Sequence, residues 1–299
     1  MALPRRAVLL GGAGQLGTEI RRAWSGVEFS VPTRAELDIT DRTATAAFIE
    51  RAGAGAVINC AAFHNVEQCE REPEKAFEAN ALAVDAMARA AAAAGSAFMT
   101  VSTDYVFDGA LGRPYRESDA PAPLNAYGVS KLAGELLVAR LQSEAYVVRT
   151  CGVYGIRPST AKGYTFVDRV INQKRAGEPV RIVADQTVSP TFASDLADGM
   201  RALFERDAPA GLYHIVNDGA VTWYDYARAA LRGAGLDDGI EAISYKEWQT
   251  TVRRPAFSAL ENSRLRELGI AMPSWESGLS RYLNMLMQQR AVDNAVHDR

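Results

Sequence analysis

A tyrosine and a lysine four residues apart, Tyr127 and Lys131, have the types and spacing most suited to chemistry. On a helix, side chains at this spacing lie on the same face. A phenol with an ordinary pKa of about 10 is a poor acid or base at neutral pH, but a nearby ammonium favours the phenolate and lowers that pKa. The pair could therefore give a proton to a carbonyl oxygen or take one from an alcohol. The same spacing occurs in ordinary surface helices, so the assignment needs support from other motifs.

A glycine-rich turn near the N-terminus follows a short apolar strand and precedes an amphipathic stretch. Strand, glycine turn and helix in this order are the setting of a dinucleotide-binding loop, in which the backbone approaches a pyrophosphate at the helix N-terminus. The alternative is a turn that only joins strand to helix. We predict that this turn binds a cofactor through Gly11, Gly14, Gln15, Leu16 and Gly17.

The segment after a second predicted strand, Glu28–Val31, bears on the choice of cofactor. The adenosine ribose lies at the end of this strand in dinucleotide-binding folds. Arg34 stands there in place of an acidic residue, which suits a 2′-phosphate better than a free hydroxyl; the alternative is a solvated loop arginine. Asp38 and Ile39 could flank the adenine. NADPH is therefore the expected cofactor, with NADH as the second possibility.

Strands and helices alternate through the first half of the chain. Three further apolar strands are predicted at Ala56–Ala62, Ala97–Ser102 and Ala145–Arg149, with a long helix over Pro73–Ala94 between the first two. This order favours an α/β fold in which helices cover both faces of a doubly wound parallel sheet of the Rossmann type.

Beyond Thr150 the alternation loosens, although a helix is predicted to begin with Ser194 as its N-cap and a strand is predicted over Gly211–Val216. We expect two domains. Residues 1–153, with 186–217 returning to the sheet, form the NAD(P)-binding domain, and residues 154–185 with 218–299 form a smaller C-terminal α/β substrate domain.

Composition excludes several classes of function. The net charge of −3 comes from mixed signs without a basic patch, so nucleic acid is not an expected partner. The longest apolar run, Ala90–Ala94, is too short to span a bilayer, and no secretory leader is expected. Three scattered cysteines lack metal-ligand spacing and are typical of reduced thiols in the cytoplasm. We expect a cytoplasmic protein with no metal site.

The predicted motifs converge at one edge of the sheet. Ligands of open parallel sheets bind beyond the carboxyl ends of the strands. Four segments follow strand ends and must share that edge: Gly11–Gly17, Ala61–Ala62, Ser102–Thr103 and Thr150. The helix of Tyr127 starts between two of these strands. We therefore expect the Thr103 hydroxyl beside the phenol, with Lys131 beneath it.

With these motifs the sequence resembles the extended short-chain dehydrogenases/reductases and, within them, the dTDP-4-dehydrorhamnose reductases. The matching runs cover most of the chain in the order of that family. They are Gly14–Gly17, Ser102–Gly109, Tyr127–Lys131, Gly134–Glu135, Arg149–Thr150, Val153–Gly155, Asp185–Gln186, Ser189–Thr191, Asp195–Ala197 and Arg254–Pro255.

The resemblance implies NAD(P)H-dependent reduction of a nucleotide-linked 4-keto-6-deoxy sugar, in dTDP-L-rhamnose biosynthesis. Thr103, Tyr127 and Lys131 then form the catalytic triad, in which Tyr127 protonates O4, Lys131 lowers the pKa of Tyr127 and holds the nicotinamide ribose, and Thr103 hydrogen-bonds the carbonyl. Further cofactor contacts are expected at Ala61, Ala62, Phe63, Ser102 and Thr150. Substrate contacts are expected at Thr103, Asp104, Tyr105, Gln186 and Arg254. A homodimer is expected from the resemblance alone.

Three positions bear on the substrate. Tyr105 stands where related dehydratases have a glutamate, which favours simple reduction over elimination of water. The family usually has tryptophan at Gly152 and glycine at Val188. The missing indole predicts either weak activity on dTDP-4-dehydrorhamnose or a preference for another sugar, with Tyr105, Phe63 or Tyr164 as the replacement wall.

Two other functions remain open. One is another nucleotide-sugar reductase or epimerase of the extended group. The other is a non-catalytic, NADP-binding regulatory subunit, which would have no need to keep the threonine, tyrosine and lysine together.

Overall fold

Twelve β-strands and eleven α-helices make up the part of the chain that the computed structural model describes, residues 3–141, 144–157, 163–248 and 250–297. The strands are β1 (Arg6–Leu10), β2 (Glu28–Ser30), β3 (Ala56–Asn59), β4 (Ala97–Thr103), β5 (Ala145–Thr150), β6 (Val153–Tyr154), β7 (Arg181–Val183), β8 (Thr187–Val188), β9 (Thr191–Phe192), β10 (Gly211–His214), β11 (Val221–Thr222) and β12 (Glu241–Ile243).

The helices are α1 (Gln15–Ala23), α2 (Arg42–Ala52), α3 (Val66–Arg71), α4 (Pro73–Phe77), α5 (Ala83–Ala93), α6 (Ala126–Ala139), α7 (Phe166–Arg175), α8 (Ala193–Glu205), α9 (Trp223–Gly233), α10 (Ser263–Glu267) and α11 (Trp275–His297). A π-helical turn, Glu78–Leu82, joins α4 to α5, and a 3₁₀ turn, Asp104–Val106, follows β4.

The main sheet has six strands in the order β10-β5-β4-β3-β1-β2, and every pairing is parallel. Strand order reverses between β1 and β3, so the carboxyl ends of the central strands open onto one crevice. In the register of β4 and β5, Thr103 lies opposite Thr150. The predicted α/β fold with a doubly wound parallel sheet is confirmed.

Both faces of this sheet are buried because successive strand residues point to opposite sides. Ala7 and Leu9 of β1 pack with apolar residues of α1 and α8, whereas Val8 and Leu10 pack with those of α2 and α5. Each Val or Leu side chain buried in this way contributes roughly 1.5–3 kcal/mol of hydrophobic free energy. The sheet is therefore a rigid base from which the strand-end loops project.

Three small two-stranded pairings lie outside the main sheet: β6 with β9, β7 with β12, and antiparallel β8 with β11. A separate apolar cluster joins parts of α7, α9 and α11, with Tyr154, Tyr226 and Tyr282 at its centre. The division of the chain into an NAD(P)-binding and a substrate domain stays a prediction.

Two local predictions were wrong. The helix predicted to begin with Ser194 as its N-cap has Phe192 in that position, and Ser194 Oγ instead accepts a hydrogen bond from Arg22 Nη2 at 2.7 Å. The helix predicted over Pro73–Ala94 is interrupted by the π-helical turn at Glu78–Leu82. Such turns place an extra residue in the helix and are frequent at functional sites.

Within the described ranges, no helix combines the length and the apolar character that crossing a bilayer requires. The same ranges contain no group of three or more His, Cys, Asp or Glu residues able to hold a metal ion.

Candidate active site

The glycine turn between β1 and α1 lies directly against the loop that follows β3. Gly11 has φ +75°, and a Cβ there would lie 2.7 Å from the backbone nitrogen of Ala61. A Cβ at Gly17 would lie 2.5 Å from Gly11 O and from Gly12 Cα. Contacts this short exclude side chains at both positions, so the backbones of the turn, of α1 and of the Ala61 loop pack together.

The N-terminus of α1 is free of protein anions. Gly14 is its N-cap, and neither a capping side chain nor an acidic residue occupies its first turn. The turn is closed by Gly14 N, which donates to Gly11 O at 3.0 Å. An uncapped helix start without an acidic residue in its first turn fits the pyrophosphate of a dinucleotide, since its N–H groups and dipole favour negative charge. Gln15 and Leu16 belong to this first turn.

The three residues predicted around the adenosine lie in the loop after β2. Arg34 and Asp38 are exposed and Ile39 is partly buried. Hydrogen bonds from Thr40, first from its backbone N–H, lower the pKa of Asp38, and the charge of Arg34 lowers it further. Just before this loop, the Val31 side chain packs against Gly12. The loop is therefore anchored beside the glycine turn and presents a free guanidinium to solvent.

Asn80, in the π-helical turn, braces the loop that contains Ala61, Ala62 and Phe63. Its Oδ1 accepts from Phe63 N at 2.9 Å, and its Nδ2 donates to Phe63 O at 2.9 Å and to Ser130 Oγ at 3.0 Å. One buried amide therefore ties the predicted cofactor loop to α6. The sequence analysis did not identify Asn80, although an asparagine within an alanine-rich apolar helix was a usable signal.

Asn125 fixes the start of α6 and with it the position of Tyr127. Asn125 Oδ1 accepts from Gly128 N at 2.9 Å, and Nδ2 donates to Arg253 O at 2.9 Å. Gly128 packs against Tyr105 O with no room for a Cβ. The first turn of α6 is therefore pressed against the segment that follows β4.

Tyr127 and Thr103 lie together as expected, since the Thr103 hydroxyl is close enough to the phenol to lower its pKa. The ring of Tyr105 contacts the ring of Tyr127 edge to face, with 5.8 Å between centroids. Burial raises the pKa of Tyr127 above its ordinary value, and the nearby Thr103 hydroxyl opposes that shift only in part. The phenol is therefore protonated at neutral pH and placed to donate.

Lys131 is buried and its ammonium points to the sheet. Lys131 Nζ donates to Val101 O at 2.6 Å. Burial lowers the pKa of Lys131 to about 8, against the nearby charge of Glu135, which raises it. Burial outweighs any effect of Lys131 on the net pKa of Tyr127, so the prediction that Lys131 lowers this pKa stays a prediction.

A buried ionic network lies under the catalytic helix. Glu135, one turn after Lys131, accepts from Arg149 Nη2 at 2.6 Å and from Ser102 Oγ at 2.5 Å. The Arg149 guanidinium also lies 5.0 Å from the centroid of Phe107. This network ties α6 to the last residues of β4 and β5. It also gives Ser102 a structural partner, Glu135, beneath the predicted cofactor site.

Of the residues predicted to contact substrate, Asp104, Tyr105 and Arg254 are connected to Thr103. Thr103 Oγ1 donates to Asp104 Oδ1 at 3.0 Å, and burial raises the pKa of Asp104. Arg254 Nη1 donates to Tyr105 Oη at 3.1 Å.

Two residues near Arg254 were missed by the sequence analysis. Glu67 forms an ion pair with Arg254, and Trp248 lies with its ring centroid 4.7 Å from the guanidinium carbon. Gln186 is buried, and its Nε2 lies 3.4 Å from Pro255 O, next to Arg254 in the chain.

Gly152 has a neighbour that the sequence did not reveal. It has φ +54°, and a Cβ there would lie 3.3 Å from Trp223 Cη2 and 3.3 Å from Pro190 Cα. The expectation that Tyr105, Phe63 or Tyr164 lines this position was wrong, because the indole of Trp223 reaches it from the start of α9. Val188 is buried in an apolar cluster that Trp223 also packs against.

A parallel doubly wound sheet with a glycine turn after its first strand and a tyrosine–lysine helix at the same edge is the architecture of short-chain dehydrogenases/reductases. The chain has this Rossmann-type fold.

Comparison with known proteins places the chain more closely. Residues 5–288 match the family described as RmlD substrate binding domain, and the chain belongs to that family. The dTDP-4-dehydrorhamnose reductase of Escherichia coli (strain K12) is 33% identical over 301 residues, covering 95% of this chain and 99% of that protein. The enzyme of the same name from Mycobacterium tuberculosis (strain ATCC 25618 / H37Rv) is 35% identical over 300 residues, covering 97% and 96%.

A solved structure is equally similar. The dTDP-4-dehydrorhamnose reductase of Bacillus anthracis, in complex with NADP, superposes with a TM-score of 0.89 at 31% identity, covering 95% of this chain and 100% of that one.

Proposed function

We propose that the protein is an NADPH-dependent reductase of a nucleotide-linked 4-keto-6-deoxy sugar, and specifically a dTDP-4-dehydrorhamnose reductase of dTDP-L-rhamnose biosynthesis. The observation that carries the proposal is the adjacent pair Thr103 and Tyr127 at the sheet edge that also holds the glycine turn. The names of the related reductases support the choice of substrate.

NADPH supplies a hydride to C4 of the sugar. The chain's own part is to hold the carbonyl and deliver a proton. The Thr103 hydroxyl hydrogen-bonds O4, and Tyr127, a neutral phenol whose pKa burial raises further, donates its proton to O4. Lys131, with its pKa of about 8, is largely an ammonium at neutral pH and stabilises the resulting phenolate.

The residues proposed to hold NADPH follow the strand ends. The α1 N-terminus takes the pyrophosphate, with Gly11, Gly14, Gln15, Leu16 and Gly17 around it. Arg34 pairs with the 2′-phosphate, which favours NADPH over NADH, and Asp38 and Ile39 flank the adenine. The remaining contacts are Ala61, Ala62, Phe63, Ser102, Thr150, Tyr127 and Lys131.

The substrate cleft lies next to the triad. Asp104, Tyr105, Gln186 and Arg254 are proposed to contact the nucleotide sugar, with the Arg254 guanidinium available to its anionic part. Tyr105 cannot supply a carboxylate, which supports reduction without elimination of water. Its phenol is hydrogen-bonded to Arg254, and burial raises the pKa of Tyr105 to about 12.

We propose that two copies pair through the outer face of α6 and the neighbouring π-helical turn. Four large apolar side chains are exposed there: Phe77, Leu82, Val129 and Leu136. Apolar residues clustered on adjacent helices are typical of a protein interface. A cytoplasmic location is proposed with it, since reduced thiols are the normal state there and the three cysteines are free.

The test is NADPH oxidation, followed at 340 nm, with dTDP-4-dehydrorhamnose supplied by the enzymes that make it in situ. We expect oxidation that requires both the sugar and the protein, and formation of dTDP-rhamnose. Oxidation with a different nucleotide sugar alone would assign another reductase of the group. Cofactor binding without any oxidation would assign a regulatory subunit.

A further inference from the structure

Trp223 lies beside Gly152, and no sequence motif predicted it there. Gly152, two residues after the strand end at Thr150, has no side chain, and the edge of the Trp223 indole stands 3.3 Å from where its Cβ would be. The space above Gly152 is therefore closed by an aromatic ring that comes from the first position of α9.

The indole is held in place from several sides. Trp223 N donates to Gln186 O at 3.2 Å, so the residue is tied to a proposed substrate contact that directly precedes β8. Thr222 caps α9 by accepting from Asp225 N at 3.0 Å. The Phe166 ring lies 4.7 Å from the indole, centroid to centroid. A capped helix start and a packed ring leave the indole little freedom to move.

This position is linked to the triad through Cys151. The Cys151 thiol donates to Asp104 Oδ2 at 3.2 Å, and Asp104 accepts from Thr103 on its other oxygen. Trp223 packs against the apolar cluster that contains Cys151 and Val188. Residues 151 and 152 thus run from the triad to the indole.

The indole is also available to a ligand. Trp223 is only partly buried, and none of the described residues accepts a hydrogen bond from its Nε1. A partly exposed indole offers a sugar an apolar face and one N–H donor, the combination for which tryptophan is enriched at binding interfaces.

We propose that Trp223 is a specificity-determining residue, whose indole forms the wall of the sugar site above Gly152 and contacts the hexose ring of a nucleotide-linked 4-keto-6-deoxy sugar. This inference rests on the proposed function and deepens it. The wall aims C4 at the triad, and because Trp223 comes from a helix and not from the loop at Gly152, its side chain can be changed without altering the strand ends.

The experiment compares wild type with Trp223→Phe and Trp223→Ala, using Tyr224→Ala as the matched control. Tyr224 is the next residue of α9, but its hydroxyl bonds to Ile240 O and its ring packs against Arg228. For each protein we would measure kcat and KM with dTDP-4-dehydrorhamnose and with its 4-keto-6-deoxyglucose epimer, the Kd of NADPH, the Tm, and binding of dTDP-rhamnose by calorimetry.

We expect Trp223→Ala to raise KM at least tenfold and to change the ratio of kcat/KM between the two sugars at least fivefold, with the Kd of NADPH unchanged. Trp223→Phe should give values of KM and of this ratio between those of wild type and Trp223→Ala. Tyr224→Ala should match wild type. A purely structural role would lower the Tm and the active fraction without changing the sugar ratio, and that result overturns the proposal. If Trp223→Ala does not fold, the same comparison is made with Trp223→Phe.

The proposed reaction and the proposed role of Trp223 can be tested separately. If wild type binds dTDP-rhamnose but never oxidises NADPH, the proposed reaction is wrong, and the calorimetric Kd of the Trp223 variants still decides whether the indole contacts the sugar. If the ratio and the Kd are the same in wild type and Trp223→Ala, the indole does not face the sugar. Gly152→Trp is a poorer test, because φ +54° and the contacts with Pro190 and Trp223 would strain the loop.

Discussion

Tyr127 lies between Thr103 and Tyr105, and its burial keeps the phenol protonated at neutral pH. A buried neutral acid is suited to reduction, since O4 of the sugar needs a proton when hydride arrives. The spacing of Tyr127 and Lys131 predicted the two residues but not their electrostatics. The structure shows Lys131 bonded to Val101 O and the pKa of Tyr127 raised by burial, and the spacing predicts neither.

Lys131 makes the rate depend on pH. Its pKa is lowered from 10.5 to about 8, so the ammonium is present below pH 8 and lost above it. We expect kcat/KM for the sugar to be flat near pH 7 and to fall toward tenfold per pH unit above about 8, the slope of a single lost proton. A pH profile of Lys131→Arg checks the assignment, because a guanidinium keeps its proton throughout. The same descending limb in that variant would contradict it.

Arg34 should set the cofactor preference. Its guanidinium is exposed after β2, and a hydrogen bond to a charged group contributes roughly 1.5–3 kcal/mol. Arg34→Ala should therefore lower the ratio of kcat/KM for NADPH over NADH by about tenfold or more, with little effect on the NADH value. Arg51→Ala is the control, since Arg51 is also an exposed arginine but lies on α2. If the ratio stays the same, Arg34 is a solvated loop residue.

At the scale of elements, the site is made by four loops at the strand ends and by the first turn of α6. The sequence was sufficient to predict these elements, because glycine turns, apolar strands and helix starts are local signals. It was not sufficient for Asn80, Glu67 or Trp248, whose partners Phe63 and Arg254 are distant or in another element. The prediction of Ser194 as the N-cap of α8 was wrong for the same reason, because the Ser194 side chain has a distant partner in Arg22.

The close packing of α1 on the glycine turn gives an element-scale prediction. A methyl group at residue 17 would lie 2.5 Å from Gly11 O and Gly12 Cα, so the helix must move away from the turn. Gly17→Ala should weaken NADPH binding at least tenfold and lower the free energy of unfolding by about 1–3 kcal/mol, the usual cost of overpacking.

The control for this variant is Gly239→Ala, where the added methyl meets only the Asp237 carboxylate. Fluorescence titration of NADPH and urea unfolding measure the two quantities. Equal NADPH affinity in Gly17→Ala and Gly239→Ala would mean that α1 does not have to approach the cofactor.

At the scale of the whole molecule, the order of strands was predictable and the second half of the chain was not. Regular alternation up to Thr150 predicts one parallel sheet. The later segments form two-stranded pairings and an aromatic cluster around Tyr226, which depend on contacts between distant segments and leave no period in the sequence. The wall at Gly152 belongs to this part, and only the structure identified Trp223.

Pairing of two copies gives a prediction for the assembled protein. Leu136 is 62% exposed on α6, so a charge there should cost the monomer little and the interface a great deal. Sedimentation velocity should show a wild-type dimer and a Leu136→Glu monomer at the same concentration, with unchanged Tm. Arg140→Glu, at the end of α6, is the control. A wild-type monomer at all concentrations would contradict the proposed interface.

The central claim is that hydride reaches C4 of a dTDP-linked 4-keto sugar while Tyr127 protonates O4. The direct measurement uses NADPH deuterated on its transferable position, with NMR of the sugar product, in wild type and in Tyr127→Phe. We expect deuterium at C4 in wild type, and a kcat lower by about 10²–10⁴-fold or more in the variant at nearly unchanged Kd for NADPH. No transfer to C4 in wild type, or a Tyr127→Phe enzyme within a few-fold of wild type when chemistry limits the rate, would contradict it.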